Sequence, residues 1–383
     1  MGLFAYLDIR VGNKDLGRVV AELSTDLAPK SCKNFLDLCR SKSYNNTCFH
    51  RVIRNFMIQA GDTDHKIIDI KNYPPPDLGK GGKSSFLSEY FEDENKVAID
   101  KAFLLCMANQ GTKDTNGSQF FISTTPSPHL SGKHSVFGKI IHGKSIIREL
   151  EKTPVISSKN SDPQAWIPAA DNIALIYDCG EWKEGDYLFC YNACTDRIGG
   201  DIYEEYPDDN DENELDLEDP KKTLQAATTI KESATLLFKA SRLDDSRLKY
   251  KKALRYCNEL IPDQDSNPEY YKKFLDLKKT LYLNLALIEL NLKNYQGTID
   301  YCGYLLEMDS DVTLTRTQTS KTLYRLGKAY HGLKNFEVSL EFLQKASLIN
   351  PDDQTVKSEM ASVKKLVEDQ KQTERQRFAK FFS

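Results

Sequence analysis

The apolar residues of this chain follow one period before a block of carboxylates and a different one after it. The block, Glu204 to Asp219, reads EEYPDDNDENELDLED. It holds few apolar residues and no basic one, so it cannot bury enough surface to fold alone. It is read as the heart of an acidic linker, 184–222, between a domain at 1–183 and another at 223–383. A chain of 383 residues has room for two separate cores.

Before the block the pattern is that of short strands. Leu7, Ile9 and Val11 alternate with Asp8 and Arg10, and Val19, Ala21 and Leu23 alternate with Arg18 and Glu22. Between Thr25 and Ser41 the period changes: Cys32, Phe35, Leu36 and Cys39 fall on one face of a helix, with Pro29 suited to its first turn. Apolar runs at Phe49–Ile58, Phe103–Met107, Phe120–Ile122, Ser135–Ile141 and Ile173–Asp178 follow, with a short helix near Lys144–Leu150. Many short strands with Gly-containing turns favour a closed barrel.

After the block the strand signals vanish and a helical repeat takes over. Ala234, Ser246, Tyr250 and Ala253 stand at offsets 0, 12, 16 and 19, and Ala286, Thr298, Cys302 and Leu305 repeat them, as do Gly327, Ser339, Leu343 and Ala346. Small residues at the first two offsets let paired helices approach, and larger ones fill the seam between pairs. The reading is three helix pairs, closed by a capping helix over Asp352–Phe382.

A net charge of −4 argues against general affinity for nucleic acid or an anionic membrane surface. No apolar run reaches the roughly eighteen residues that span a bilayer, and Met1–Val11 lacks the order of a signal peptide. The expectation is a soluble, cytoplasmic protein. Its nine cysteines are read as reduced thiols, and Cys190 with Cys194 lacks a second pair to complete a metal site. No metal or cofactor is expected.

Three blocks carry the chemistry: FHRVIRNFMIQAGD at Phe49–Asp62, MANQGTKDTNGSQFFIST at Met107–Thr124, and HLSGKHSVFGK at His129–Lys139. Their order and separation resemble the cyclophilin family over residues 3 to about 183. The resemblance implies an eight-stranded antiparallel β-barrel with two helices and a surface groove that isomerises X-Pro bonds in proline-containing client proteins. Rotation about that bond meets a barrier of ~18–20 kcal/mol, because amide resonance is lost in the twisted state. The reaction needs no nucleophile, only a pocket for the proline ring and a donor aimed at the twisted amide.

By the resemblance, Phe56, Met57, Phe121 and Leu130 form the proline pocket, and Arg51 is the catalytic arginine that favours the nitrogen lone pair of the twisted amide. Gln59 and Gln119 orient the substrate carbonyl, the Asn109 backbone pairs with the peptide as an added strand, and His134 closes the groove. His50 is read as structural. His129 stands where many cyclophilins carry a Trp that contacts cyclosporin, which implies weakened binding of that inhibitor. Gln110 replaces a usual small Ala, and the loop at Thr63–Leu78 is longer than usual.

The order of barrel, acidic stretch and three helix pairs resembles the forty-kilodalton cyclophilins, whose tetratricopeptide repeats clamp the acidic C-terminal tail of heat-shock protein 90. The fungal members are the most similar, through IGGDIYEEYPDD at Ile198–Asp209 and the terminal KFFS. Lys231, Asn284, Lys321 and Arg325 fall at the clamp positions, and Thr235 stands where Asn is usual. Lys321 and Arg325 are four apart and share a helix face. The competing reading is an adaptor whose work lies in the repeats, with the groove reduced to weak peptide binding. The basic-aromatic end Glu374–Phe382 is read as a fraying cap rather than a calmodulin site.

Overall fold

The structure is a computed structural model, and it describes residues 2–157, 159, 165–189, 191–193, 196–211, 215–308 and 313–381. The chain divides into two compact units, Met1–Thr195 and Asp196–Ser383. Cys190 and Cys194 lie outside the described residues, as do the side chains of Glu374 and of residues 377–383.

The first unit opens with the hairpin β1 (Leu3–Val11) and β2 (Lys14–Leu23), turned at Gly12, which has φ +55°. Helix α1 (Pro29–Arg40) begins at its proline rather than at Thr25, because Ser24–Ala28 is a turn in which the Leu27 and Ala28 amides both donate to the Ser24 carbonyl. It buries Cys32, Phe35, Leu36 and Cys39, the face its period foretells. The strands β3 (Thr47–Cys48), β4 (Arg51–Ile53), β5 (Met57–Ala60), β6 (Leu104–Met107), β7 (Phe120–Ser123), β8 (Val136–His142) and β9 (Ala174–Trp182) follow, with α2 (Lys144–Glu151) after β8.

The nine strands among the described residues form one antiparallel sheet in the order β3-β9-β1-β2-β8-β6-β7-β5-β4. The two outermost strands, β3 and β4, are consecutive in the chain with only Phe49 and His50 between them, so the sheet curls back on itself. Among the described residues the count is nine rather than eight, with β3 and β4 counted separately on either side of Phe49 and His50. The run expected at Phe49–Ile58 is likewise a hairpin, turned through Asn55 at φ +55°. Inside the curl, Phe35 packs on Tyr44, Phe120 and Phe137 at centroid distances of 5.4, 5.1 and 5.3 Å, joining α1 to the core.

The second unit contains three helix pairs, α3 (Pro220–Lys239) with α4 (Leu243–Leu260), α5 (Pro268–Asn291) with α6 (Tyr295–Glu307), and α7 (Arg316–Gly332) with α8 (Phe336–Ile349). A seventh helix, α9 (Gln354–Phe381), packs on α8 through Val363 and Val367. The repeat offsets explain the pairing. Ser246 Oγ donates to the Ala234 carbonyl (2.8 Å), and Ser339 Oγ to the Gly327 carbonyl (2.7 Å), each a bond across one helix pair. In the middle pair Thr298 Oγ1 turns to the Asn294 carbonyl at the start of its own helix (3.1 Å).

The stretch read as a linker divides between the units. The Phe189 carbonyl accepts from the Arg18 amide (2.6 Å) and the Tyr191 amide donates to Leu16 (2.8 Å), which ties this part to β2. Residues after Asp196 pack with the helices. Asp201 accepts from Lys249 Nζ and from Lys252 Nζ, the latter at 2.9 Å, and all three side chains are almost wholly buried. Tyr256 donates to the Glu204 carbonyl (2.7 Å), and Arg255 pairs with Glu205 (2.7 Å). Acidity alone indicated a solvated tether, but the cations that receive it lie in α4, 48 and 51 residues further on.

Two stability effects follow from this packing. His50 is 5 % exposed, and burial pushes its imidazole pKa down to about 4. The unfolded chain takes up that proton near pH 6.5, so this contribution is complete above about 6.5 and is lost as pH falls toward 4, about 2 kcal/mol by pH 5. Both tryptophans, Trp166 and Trp182, belong to the first unit, so denaturant titrations followed by their fluorescence will give a steeper loss between pH 7 and 5 for wild type than for His50→Gln. Equal slopes would refute it. At Gly327 a Cβ would sit 2.6 Å from Leu343 Cγ. Overpacking of ~1–3 kcal/mol then outweighs the helix propensity gained, about 1 kcal/mol, and Gly327→Ala will lower the helical melting temperature.

Candidate active-site groove

The pleat of the sheet assembles the groove. Arg51 on β4 stands opposite Gln59 on β5, Gln59 opposite Phe121 on β7, and Phe121 opposite Cys106 on β6. Cross-strand partners share a face, so these four side chains form one row on the outside of the curl. Their neighbours Val52, Ile58, Phe120 and Ile122 point the other way into the core. Met57 and Phe121 join Ile99, Cys106 and Val136 in a separate apolar cluster, with Phe56 and Leu130 packed on its edge. All four residues assigned to the proline pocket therefore line one apolar patch beside Arg51.

Aromatic contacts shape the rim. His134 meets the Phe121 ring edge-on at 5.2 Å, and its Nδ1–H donates to the Met107 carbonyl (3.1 Å). Burial lowers the His134 pKa, so the imidazole is neutral at pH 7, with Nε2 left as an acceptor. His129 is exposed and stacks on Phe56 at 5.4 Å. Asn109, just beyond β6, donates its side-chain amide to the Lys133 carbonyl (2.9 Å) and accepts from the Gly111 amide (3.1 Å).

Polar groups beside the pocket are held in fixed directions. Gln59 Nε2 donates to Gln119 Oε1 (2.8 Å), and Gln119 Nε2 donates to the Gly79 and Gly81 carbonyls (2.9 and 2.7 Å). The Arg51 guanidinium reaches the surface from a half-covered position, and partial desolvation lowers its pKa. No carboxylate pairs with it among the described residues. It stays charged and can donate to a substrate atom. A second recess of about 380 Å3 lies alongside, lined by Gln59, Lys80, Gly82, Tyr90, Asn109 and Gln110. Gln110 Nε2 donates to the Tyr90 hydroxyl (2.7 Å) across that recess. Tyr90 and the two glycine carbonyls escape a reading of the sequence, because their roles arise only from long-range contact.

The residues assigned to the clamp lie on α3, α5 and α7. Thr235 Oγ1 donates to the Lys231 carbonyl (2.9 Å) and lies 2.9 Å from the Tyr250 hydroxyl, which also interacts with Asn284. The Thr235 hydroxyl is thus engaged within the protein. Arg325 Nη1 donates to the Leu283 carbonyl (2.6 Å), bracing α7 against α5, and its burial lowers its pKa. Lys321, one turn earlier, is exposed. Tyr250, which links Thr235 and Asn284, is a repeat-seam residue with a polar use that its offset does not reveal.

Residues 6–171 match the family described as cyclophilin type peptidyl-prolyl cis-trans isomerase/CLD. Over 402 aligned residues the chain is 40 % identical to peptidyl-prolyl cis-trans isomerase CYP7 of Saccharomyces cerevisiae, covering 99 % of this chain and 98 % of that one. It is 36 % identical to peptidyl-prolyl cis-trans isomerase D of Kluyveromyces lactis, again over 99 % and 98 % of the two chains. With its family match, the full-length likeness to these fungal proteins and a groove of apolar pocket beside an arginine, the chain belongs to the cyclophilin-type peptidyl-prolyl cis-trans isomerases.

Proposed function

We propose that the protein isomerises X-Pro bonds of client proteins in the groove beside Arg51, and that its helical repeats dock on an acidic C-terminal peptide of the kind carried by heat-shock protein 90. The row of Arg51, Gln59 and Phe121 carries the first part. Phe56, Met57, Phe121 and Leu130 grip the proline ring, and the carbonyl side of the amide swings while the ring stays fixed. As the amide twists, its nitrogen loses resonance and gains a lone pair. The Arg51 guanidinium donates to that lone pair, an interaction the planar ground state cannot make, and so lowers the barrier. Neutral His134 adds no competing positive charge.

The docking half rests on the exposed Lys321 and on Lys231 and Asn284, cations and an amide that suit a terminal carboxylate. No described helix is long and apolar enough to cross a membrane. One observation favours the adaptor reading: in the recess that flanks the groove, Gln110, where a small Ala is usual, is bonded to the Tyr90 hydroxyl.

Replacement of Arg51 by Ala will lower kcat/KM on a proline peptide by about 10²-fold, the usual cost of removing one transition-state donor. An unchanged rate would favour the adaptor. In calorimetric titration with a peptide ending Met-Glu-Glu-Val-Asp, Lys321→Ala will weaken binding by about tenfold or more, the loss of one hydrogen bond to a charged group. Failure of the wild-type protein to bind leaves the repeats to another partner.

A further inference from the structure

Between β5 and β6 the chain makes a detour, residues 63–78, that leaves Asp62 and returns to the same side chain. The Asp62 carboxylate is 1 % exposed. Its Oδ2 accepts from the Gly79 amide (2.6 Å), from His65 Nδ1 (2.9 Å) and from the Gly81 amide (3.4 Å). Its Oδ1 accepts from the amides of Asp64 (3.2 Å) and His65 (3.3 Å). Asp64 Oδ2 adds a bond from the Gly82 amide (2.9 Å) at the same neck. A buried carboxylate that gathers five donors from both ends of a detour has no part in the isomerisation steps given above.

The returning backbone is the one that holds the groove. The Gly79 and Gly81 carbonyls take both contacts of the Gln119 amide nitrogen, and Gln119 Oε1 takes Gln59, the register neighbour of Arg51. An amide bound through nitrogen and oxygen has one orientation. Gly79 and Gly82 have φ of +87° and +105°, a conformation that glycine reaches freely and also leaves freely. Such a segment needs an outside tie to hold its carbonyls in place.

We infer that Asp62 is a positioning residue of the isomerase groove: it clips the neck of the 63–78 detour and so holds the Gly79 and Gly81 carbonyls that orient Gln119 and Gln59 beside Arg51. The inference rests on the isomerase reading of that groove. An Asn at 62 keeps the shape but replaces one of the two acceptor oxygens by a donor. Small displacements of positioning groups are costly, and the expected loss is about tenfold in kcat/KM.

The test uses the full chain with Asp62→Asn, Gln119→Ala and the double variant. Exchange NMR on a proline peptide separates kcat from affinity, and the side-chain amide resonances of Gln119 report its orientation. We expect Asp62→Asn to lower kcat/KM about tenfold, mostly in kcat, to shift the Gln119 amide signals, and to cost less than about twofold further in the Gln119→Ala background. Asp69→Ala only removes the acceptor for the Lys71 amide (3.0 Å) near the far end of the detour, and it will keep the wild-type rate. If Asp62→Asn fails to fold, His65→Ala removes the ring donor and will lower the rate about threefold in the wild-type background alone. Rates within about twofold of wild type for Asp62→Asn, or equal losses with and without Gln119, overturn the inference. Loss of rate in Arg51→Ala with none in Asp62→Asn overturns it alone; loss in neither overturns the isomerase reading as well.

Discussion

The first unit depends on one wall, the strands β4, β5 and β7, whose inner face builds the core and whose outer face builds the groove. A strand turns successive side chains to opposite sides. Phe120 therefore fills the barrel between Phe35 and Tyr44, while Phe121 supports the pocket edge under His134. The row from Arg51 to Cys106 inherits its spacing from hydrogen bonds that the fold requires anyway. Rigidity of the site is a by-product of core packing, and Arg51 needs no ion pair to keep it in register.

The second unit rests on a different economy of space. Its helices approach closely where Ala234, Ala286 and Gly327 leave room, and two of the three approaches are sealed by a serine bonded to the carbonyl at that small residue. The residues assigned to a clamp touch these seams: Thr235 follows Ala234 and meets the seam residue Tyr250 (2.9 Å). Arg325 stands apart from the other cations there, since it bonds to the Leu283 carbonyl of α5 and braces the surface as well as charging it.

Local periodicity was legible wherever one face alone is buried. Cys32, Phe35, Leu36 and Cys39 announced α1, and the offsets from Ala234 to Ala346 announced the pairs. It failed where both faces are covered: the four residues of β7 are all buried, so nothing in FFIS says which phenylalanine faces out, and only likeness to a family singled out Phe121. The break at Phe49–His50 was hidden inside an apolar run. Contacts between distant segments left no local trace either. In the sequence Thr235 is only a Thr where Asn is usual, and nothing there marks its contact with Tyr250; Asp62 ends a motif and gives no sign that it ties a loop.

The acidic stretch shows what composition misses at a domain edge. Lys249 and Lys252 have almost no access to water, and their ammonium groups meet Asp201. A helical fragment begun at the start of α3 would keep both lysines and lose that acid, together with Tyr203 and Leu215, which pack on the core of the helices. The compact helical unit therefore starts at Asp196, and a cut placed at the end of the carboxylate run would divide its core rather than trim a tether.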